Sequence, residues 1–179
     1  MEARILLWIH GFATPGLDQV FLFSNTIGTM KFCVALVAMV ALYHLIQREW
    51  REAAAWMIVG PTTYAFTEMF KPLISRPRPE LWATIIHTSS FSFPSGHAVA
   101  SATFYPLLGW VLLRRRGSMG KAGYGLGLLI AVFVGVGRLY LGVHWPTDVM
   151  AGWLIGAAQS GVAVAWLRNR PPYTHGKAP

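Results

Sequence analysis

Residues 121–167 read KAGYGLGLLIAVFVGVGRLYLGVHWPTDVMAGWLIGAAQSGVAVAWL. Two apolar runs, 121–141 and 148–167, approach the roughly 20 residues a helix needs to cross a hydrocarbon layer about 30 Å thick. Between them stand Arg138, His144 and Asp148, at a place where bare charge is costly inside a bilayer. The stretch reads as a transmembrane helical hairpin with ionisable groups at its bend. Gly123/Gly127 and Gly152/Gly156 have the small-xxx-small spacing that lets such helices approach closely, although glycine is abundant here and the spacing also arises by chance.

Outward from this hairpin, three further segments are long and apolar enough to be spans: 30–46 (Phe32 to Ile46), 53–70 (Ala53 to Phe70) and 96–113. Pro61 and Pro106 fall inside two of them, where neighbouring helices can satisfy the freed carbonyls and kinks are expected. The whole chain agrees. Its 179 residues are 54% apolar and 12% charged, with mean hydropathy +0.45, whereas a soluble domain carries about 25% charged residues. The expectation is an all-α integral membrane helical bundle of about five transmembrane helices, forming a single domain over 1–179. Residues 1–28 differ: Ile5 to Ile9 is too short to span, and Gly11, Pro15, Gly16 and Asp18 break the helical pattern after it, so this segment reads as interfacial N-terminal helices. It lacks the basic start, clean apolar stretch and small-residue cleavage site of a signal peptide. The single Cys33 excludes an intrachain disulfide and a cysteine-rich metal site.

The net charge of +8 could serve nucleic acid, anionic lipid or a phosphorylated substrate, and position chooses among them. If five spans alternate, one side receives Arg48, Arg51, Arg114, Arg115, Arg116, Lys121, Arg168, Arg170 and Lys177. By the positive-inside rule that side is cytoplasmic, which puts the N-terminus outside and the 168–179 tail in the cytoplasm. Lys71, Arg76, Arg78 and Arg138 fall on the other side, near His97 and His144 in chain order. Topology does not explain them.

Three clusters on that outer side carry chemistry. In Lys71-Pro-Leu-Ile-Ser-Arg-Pro-Arg78-Pro79 the prolines hold an extended stretch and aim long cations away from their own backbone; taken alone it reads first as a basic interfacial belt touching lipid headgroups. In Ser92-Phe-Pro94-Ser95-Gly96-His97, Pro94 and Ser95 are helix-start chemistry and Gly96 permits close backbone approach, which makes an anion cradle at a helix N-terminus, or a plain helix cap. In the third, His144 precedes Asp148 by four residues. The acid can accept Nδ1–H and leave Nε2 as a lone-pair nucleophile or base, or it can simply cap the next helix. Jointly the three supply what a phosphate monoester dianion needs: Lys71, Arg78 and Arg138 for its non-bridging oxygens, Ser95 and the Gly96 amide as further donors. Two histidines and one carboxylate could instead hold a metal, but three adjacent cations would repel it, so neither metal nor cofactor is expected.

Lys71-x6-Arg78-Pro79, Pro94-Ser95-Gly96-His97 and Arg138-x5-His144-x3-Asp148 resemble, in order and internal spacing, the three-part signature of the type-2 phosphatidic acid phosphatase superfamily, over residues 71–148. The resemblance implies that His144 attacks phosphorus to form a phosphohistidine, that Asp148 orients and stabilises it, that His97 protonates the leaving oxygen, and that water then releases phosphate. It also implies six spans in typical membrane relatives, against about five here. Gly137 stands where the third motif usually opens with serine, so one minor phosphate contact is expected to be lost.

A reacting centre at span ends suits a phosphate headgroup presented by a lipid. The expected activity is that of a metal-independent lipid phosphatase, a phosphoric ester hydrolase, in the cell inner membrane with its active site on the extracytoplasmic side. Candidate substrates are phosphatidylglycerol phosphate, phosphatidate, undecaprenyl diphosphate (which would make the reaction acid-anhydride hydrolysis) and a lipid A phosphate. The partners expected are that lipid and the bilayer, not nucleic acid; oligomeric state stays open. A non-catalytic protein that binds or transports phospholipid headgroups is the alternative. Residues 80–93 (Glu80, Trp82, His87, Phe91, Phe93) could select the headgroup or form an aromatic belt. Glu68 reads as an ion-pair partner of Lys71, His10, His44 and His175 as interfacial or exposed, and Arg114–Arg116 as topological charges.

Overall fold

The computed structural model describes residues 1–86 and 88–168. His87 and the tail with Arg170, His175 and Lys177 lie outside the described residues, and so do the expectations attached to them. Seven α-helices succeed one another: α1 (Glu2–His10), α2 (Pro15–Gly28), α3 (Met30–Ile46), α4 (Trp50–Ile74), α5 (Gly96–Leu113), α6 (Met119–Tyr140) and α7 (Pro146–Arg168). A 3₁₀ turn, Arg114–Arg116, prolongs α5, and the described residues include no strand.

The centre of the bundle is α5. Its buried face is built of small side chains (Ala98, Ala100, Ser101, Ala102, Thr103) around Phe104 and Leu107. Both neighbours reach its backbone through glycine: a Cβ at Gly127 would lie 2.3 Å from the Tyr105 carbonyl, and one at Gly156 2.5 Å from the carbonyl of Val99. Gly123 meets the Gly109 backbone and Gly152 meets Ala98, so both small-xxx-small pairs are helix interfaces, where the absence of a side chain allows extensive van der Waals contact. Polar cross-links add to this. Gln159 Oε1 lies 3.0 Å from the hydroxyls of Thr63 and Thr103, joining α4, α5 and α7. The outward faces carry exposed apolar side chains, among them Ile58, Leu126, Leu129, Leu154 and Val162, as a lipid-facing surface requires.

Three helices, α5 with its 3₁₀ extension, α6 and α7, are each long and apolar enough to cross a membrane, and α2 with α3 makes a fourth candidate when taken as one span bent by 50°. The expected span of 30–46 is thus only the second half of a longer element. The 53–70 span lies within α4, whose 25 residues give ample length, but Pro61, Thr62, Thr63, Thr67 and Glu68 dilute its hydropathy. Among the described residues the candidates therefore number three, or four with the bent α2–α3 pair, against the five expected, and α4 is not one of them. Along α6, α2 packs closely: Phe21 lies on Tyr140 (4.3 Å between centroids), and a Cβ at Gly28 would meet Val134 at 2.4 Å.

At the far end, Arg48 adopts φ 58° and turns the chain so that Glu49 folds back onto His44. His44 is buried, with Nδ1 2.6 Å from Glu49 Oε2, which corrects the expectation of an interfacial or exposed residue. Arg115 pairs with Glu49 and Arg114 with Glu52, so these arginines have buried structural partners besides their topological charge. His10 also has a partner, stacked 4.1 Å from Trp82.

Candidate active site

Helix α4 ends because Ser75 enters the left-handed region at φ 47°, its N–H closing on the Lys71 carbonyl at 2.9 Å. The proline-rich stretch beyond has no regular secondary structure, and Arg76 and Arg78, two residues apart, take different partners. Arg78 uses its whole donor fork: Nε to the Ser90 carbonyl (2.7 Å), Nη1 to the Val143 carbonyl (2.6 Å) and to His144 Nε2 (3.1 Å), Nη2 to Ser90 Oγ (3.1 Å) and the Phe91 carbonyl (3.3 Å). Since guanidinium only donates, His144 Nε2 is the accepting nitrogen, and the ring proton belongs on Nδ1. Arg76 instead donates to Asp148 Oδ1 and Thr147 Oγ1, both at 2.6 Å, and to Glu2 Oε2 at 2.5 Å.

Ser95 occupies the N-cap position of α5, yet its hydroxyl caps nothing and, though buried, has no partner. Gly96 is packed against Thr67 Cγ2, 3.1 Å from where a Cβ would be, so a larger residue would push α4 and α5 apart. His97 makes a ring hydrogen bond to the Asn25 carbonyl and leaves Nε2 buried without a partner. On α6, Arg138 is 1% exposed, donates through Nη1 to Asn25 Oδ1, and has an unpartnered Nε. Three buried polar atoms from two helices, Ser95 Oγ, His97 Nε2 and Arg138 Nε, are therefore unsatisfied, a costly state that persists where a ligand supplies the missing bonds.

His144 lies on the turn between α6 and α7, which Gly142 makes at φ +68° beneath the Trp82 ring. Burial, reinforced by Arg138 and Arg78 and opposed by Asp148, pushes its imidazole down to about 4, so the ring is neutral at pH 7. The expected His144–Asp148 hydrogen bond takes a different form. Nδ1 is 3.6 Å from Oδ2, beyond hydrogen-bond range, because Oδ2 already accepts from Ser92 Oγ (2.5 Å) and the Trp145 amide (2.9 Å). Ser92 Oγ is 3.4 Å from His144 Nδ1 and stands between ring and acid.

Of the candidates, Arg78, His97, Arg138, His144 and Asp148 come together, since each histidine feels both arginines. Ser95 joins them through its amide, which donates to the Asp148 carbonyl at 3.1 Å. Lys71 stands apart from the described bonds of this group: it pairs with Glu68 at 2.6 Å on the last turn of α4, one turn beyond the Thr67–Gly96 contact. Gly137 is covered by α2, with Ser24 Oγ 2.1 Å from where a Cβ would be. Two contributors escaped sequence reasoning, Glu2 and Asn25, and two that it noted without a role, Arg76 and Ser92, hold Asp148. A signal existed for Asn25, since Ser24-Asn25-Thr26 interrupts an apolar run. None existed for Glu2. Among the described residues, no three of His, Cys, Asp and Glu gather as metal ligands would.

Fold and site together define a helical membrane protein with a buried, cation-rich site, holding unsatisfied polar atoms, at one end of its central helix. Residues 54–172 match the family model described as the PAP2 superfamily, and the chain belongs to that superfamily. It is 32% identical over 145 residues to phosphatidylglycerophosphatase B of Bacillus subtilis, covering 79% of this chain and 71% of that one. To an undecaprenyl-diphosphatase of Sulfolobus acidocaldarius it is 42% identical over 76 residues, covering 42% of this chain and 34% of that one. The fold superimposes on the crystal structure of a transmembrane PAP2-type phosphatidylglycerolphosphate phosphatase from Bacillus subtilis with a TM-score of 0.86 and 28% identity, over 97% of this chain and 87% of that one.

Proposed function

We propose that this chain is a single membrane-embedded phosphatase domain that hydrolyses a phosphomonoester or diphosphate lipid headgroup through a phosphohistidine, without a metal. The observation that carries the reading is the set of unsatisfied buried atoms, Ser95 Oγ, His97 Nε2 and Arg138 Nε, around a neutral imidazole whose Nε2 accepts from Arg78. A phosphate entering this site takes over the Arg78 Nη1 donor, which exposes the Nε2 lone pair to phosphorus. Arg78, Arg138, Ser95 and the Gly96 amide bind its non-bridging oxygens, and Lys71 completes the set once it swings from Glu68. Nε2 attacks, the P–O bond to the lipid breaks, and a protonated His97 gives its Nε2 proton to the leaving oxygen. Asp148 stabilises the imidazolium that forms. Neutral His97 then takes a proton from water, which attacks phosphorus and frees His144. Positioning and charge neutralisation supply most of such a barrier reduction.

The relatives named for phosphatidylglycerophosphate and undecaprenyl diphosphate favour a lipid over a soluble phosphate, as does a site at span ends. An extracytoplasmic site in the inner membrane is the reading supported by Arg48, Arg51, Arg114–Arg116, Lys121 and Arg168, which gather at the opposite end. α1, docked on Arg76, holds the N-terminus on the side of the site. The test is phosphate release by purified protein from phosphatidylglycerol phosphate, phosphatidate, undecaprenyl diphosphate and lipid A. At least one is cleaved, vanadate inhibits and EDTA does not. Binding without release by a folded wild type overturns the reading in favour of a headgroup-binding protein.

A further inference from the structure

Helix α1 is docked against α6 and α7 at the end of the bundle that carries the site. Leu6 is fully buried and His10 is stacked on Trp82, while Leu7, Trp8 and Phe12 face outward. At its first turn Glu2 is tied to the catalytic end: Oε1 accepts from the Thr147 amide (3.1 Å) and hydroxyl (2.8 Å), and Oε2 from Arg76 (2.5 Å), with Arg76 passing the link on to Asp148 (2.6 Å). The Thr147 amide belongs to the first turn of α7, whose N–H groups have no intrahelical partner. A carboxylate from another helix therefore caps the element that carries Asp148 and favours its positive end. Against the upward push of burial, the bonds from Thr147 and Arg76 hold the Glu2 carboxyl below its ordinary range.

Arg76 is thus shared by two carboxylates. Asp148 Oδ1 receives one branch of the guanidinium, Glu2 the other, and the Arg76 fork lies over the Trp145 ring (5.5 Å to the centroid), which limits its swing. The sharing matters because Asp148 must keep Oδ2 for Ser92, which stands between the acid and the His144 ring. Without Glu2, Arg76 can turn both branches on Asp148, drawing the carboxylate away from the imidazole and weakening its stabilisation of the imidazolium.

We infer that Glu2 is a positioning residue for phosphoryl transfer, acting through Arg76 and the N-terminus of α7 to set the orientation of Asp148 beside His144. This rests on the phosphatase reading above. Glu2→Gln keeps an acceptor for Thr147 and removes the charge that holds Arg76. Measured on the folded, detergent-purified full chain with a lipid the wild type cleaves, Glu2→Gln lowers kcat about tenfold with KM within about twofold. Arg4→Gln, an exposed change on the same helix, leaves both unaltered. In an Arg76→Gln background the further effect of Glu2→Gln shrinks below about twofold, because the path is already cut. A kcat for Glu2→Gln within twofold of wild type overturns the inference, and so does a loss that merely follows the folded fraction or persists in full without Arg76. His144→Ala is assayed alongside: if it stays active the phosphatase mechanism fails, whereas if it is dead and Glu2→Gln is normal the failure belongs to Glu2 alone.

Discussion

Two buried histidines occupy opposite ends of this bundle, each with a carboxylate and arginines, and they differ in what is left over. His44 is clamped directly by Glu49 at 2.6 Å, Glu49 also takes Arg115, and Arg114 pairs with Glu52 and lies over Trp110. At that end the unpaired buried atoms are Arg114 Nε, on a guanidinium already held on two sides, and Trp56 Nε1, one turn along α4 from Glu52 inside the apolar core. At the other end Asp148 is engaged by Ser92, Trp145 and Arg76, His144 is held by Arg78 and Ser92 and not by the acid, and Ser95, His97 and Arg138 all offer unmatched atoms. The residue types are the same. A closed cluster ties helices together, and an open one has donors to spare.

The contrast between the two ends breaks most readily on the histidines themselves. On the phosphohistidine proposal His144→Ala loses on the order of a millionfold in kcat, the scale seen when a covalent nucleophile is removed from an otherwise intact site. His44→Ala leaves kcat per folded molecule unchanged and lowers Tm, since it strands Glu49. Equal loss of activity in both would mean that the distinction between open and closed clusters has no catalytic content. Next in size is Arg138→Gln, expected to cost about a hundredfold in kcat as removal of one charge-stabilising donor does, against little change for Arg115→Gln measured in the same way.

How much of this was legible differs between the ends for a physical reason. The end that carries the site announces itself through local spacing: Asp148 is one helical turn after His144, and Pro94-Ser95-Gly96 opens a helix. Gly152 and Gly156 likewise declared their interface, because small residues four apart line up on one face. The partner of His44 was hidden because Glu49 lies five residues on, across a turn made by Arg48 in the left-handed region, and no regular period joins them. Glu2 and Arg76 are 74 residues apart, so their contact exists only once α1 has docked. Asn25 was lost because residues 1–28 read as interfacial, whereas α2 lies along α6.

A third difference is visible in acid. His144 is held at about 4 in the fold, against about 6.5 in an unfolded chain. Above 6.5 both states are neutral there and the group is silent. As pH falls from 6.5 toward 4 the unfolded chain gains a proton that the native one refuses, and the native state loses roughly 3 kcal/mol by linkage. His144→Gln therefore flattens the decline of Tm between pH 6.5 and 4. An unaltered slope would place the acid sensitivity elsewhere.

The smallest effect concerns helix α6, which touches both ends. A Cβ at Gly137 would lie 2.1 Å from Ser24 Oγ, and one at Gly120 3.0 Å from the Arg114 backbone. Each alanine overpacks its contact and costs about 1–3 kcal/mol of stability. Only the first displaces the α2 segment whose Asn25 holds both His97 and Arg138. Gly137→Ala therefore lowers kcat as well as Tm, while Gly120→Ala lowers Tm alone. Because the obstruction at Gly137 is chiefly the Ser24 hydroxyl, adding Ser24→Ala returns much of the activity. If the double variant stays as impaired as the single one, the position of α2 does not reach the site through Asn25, and the open cluster depends on α5–α7 and the Arg78 stretch without it.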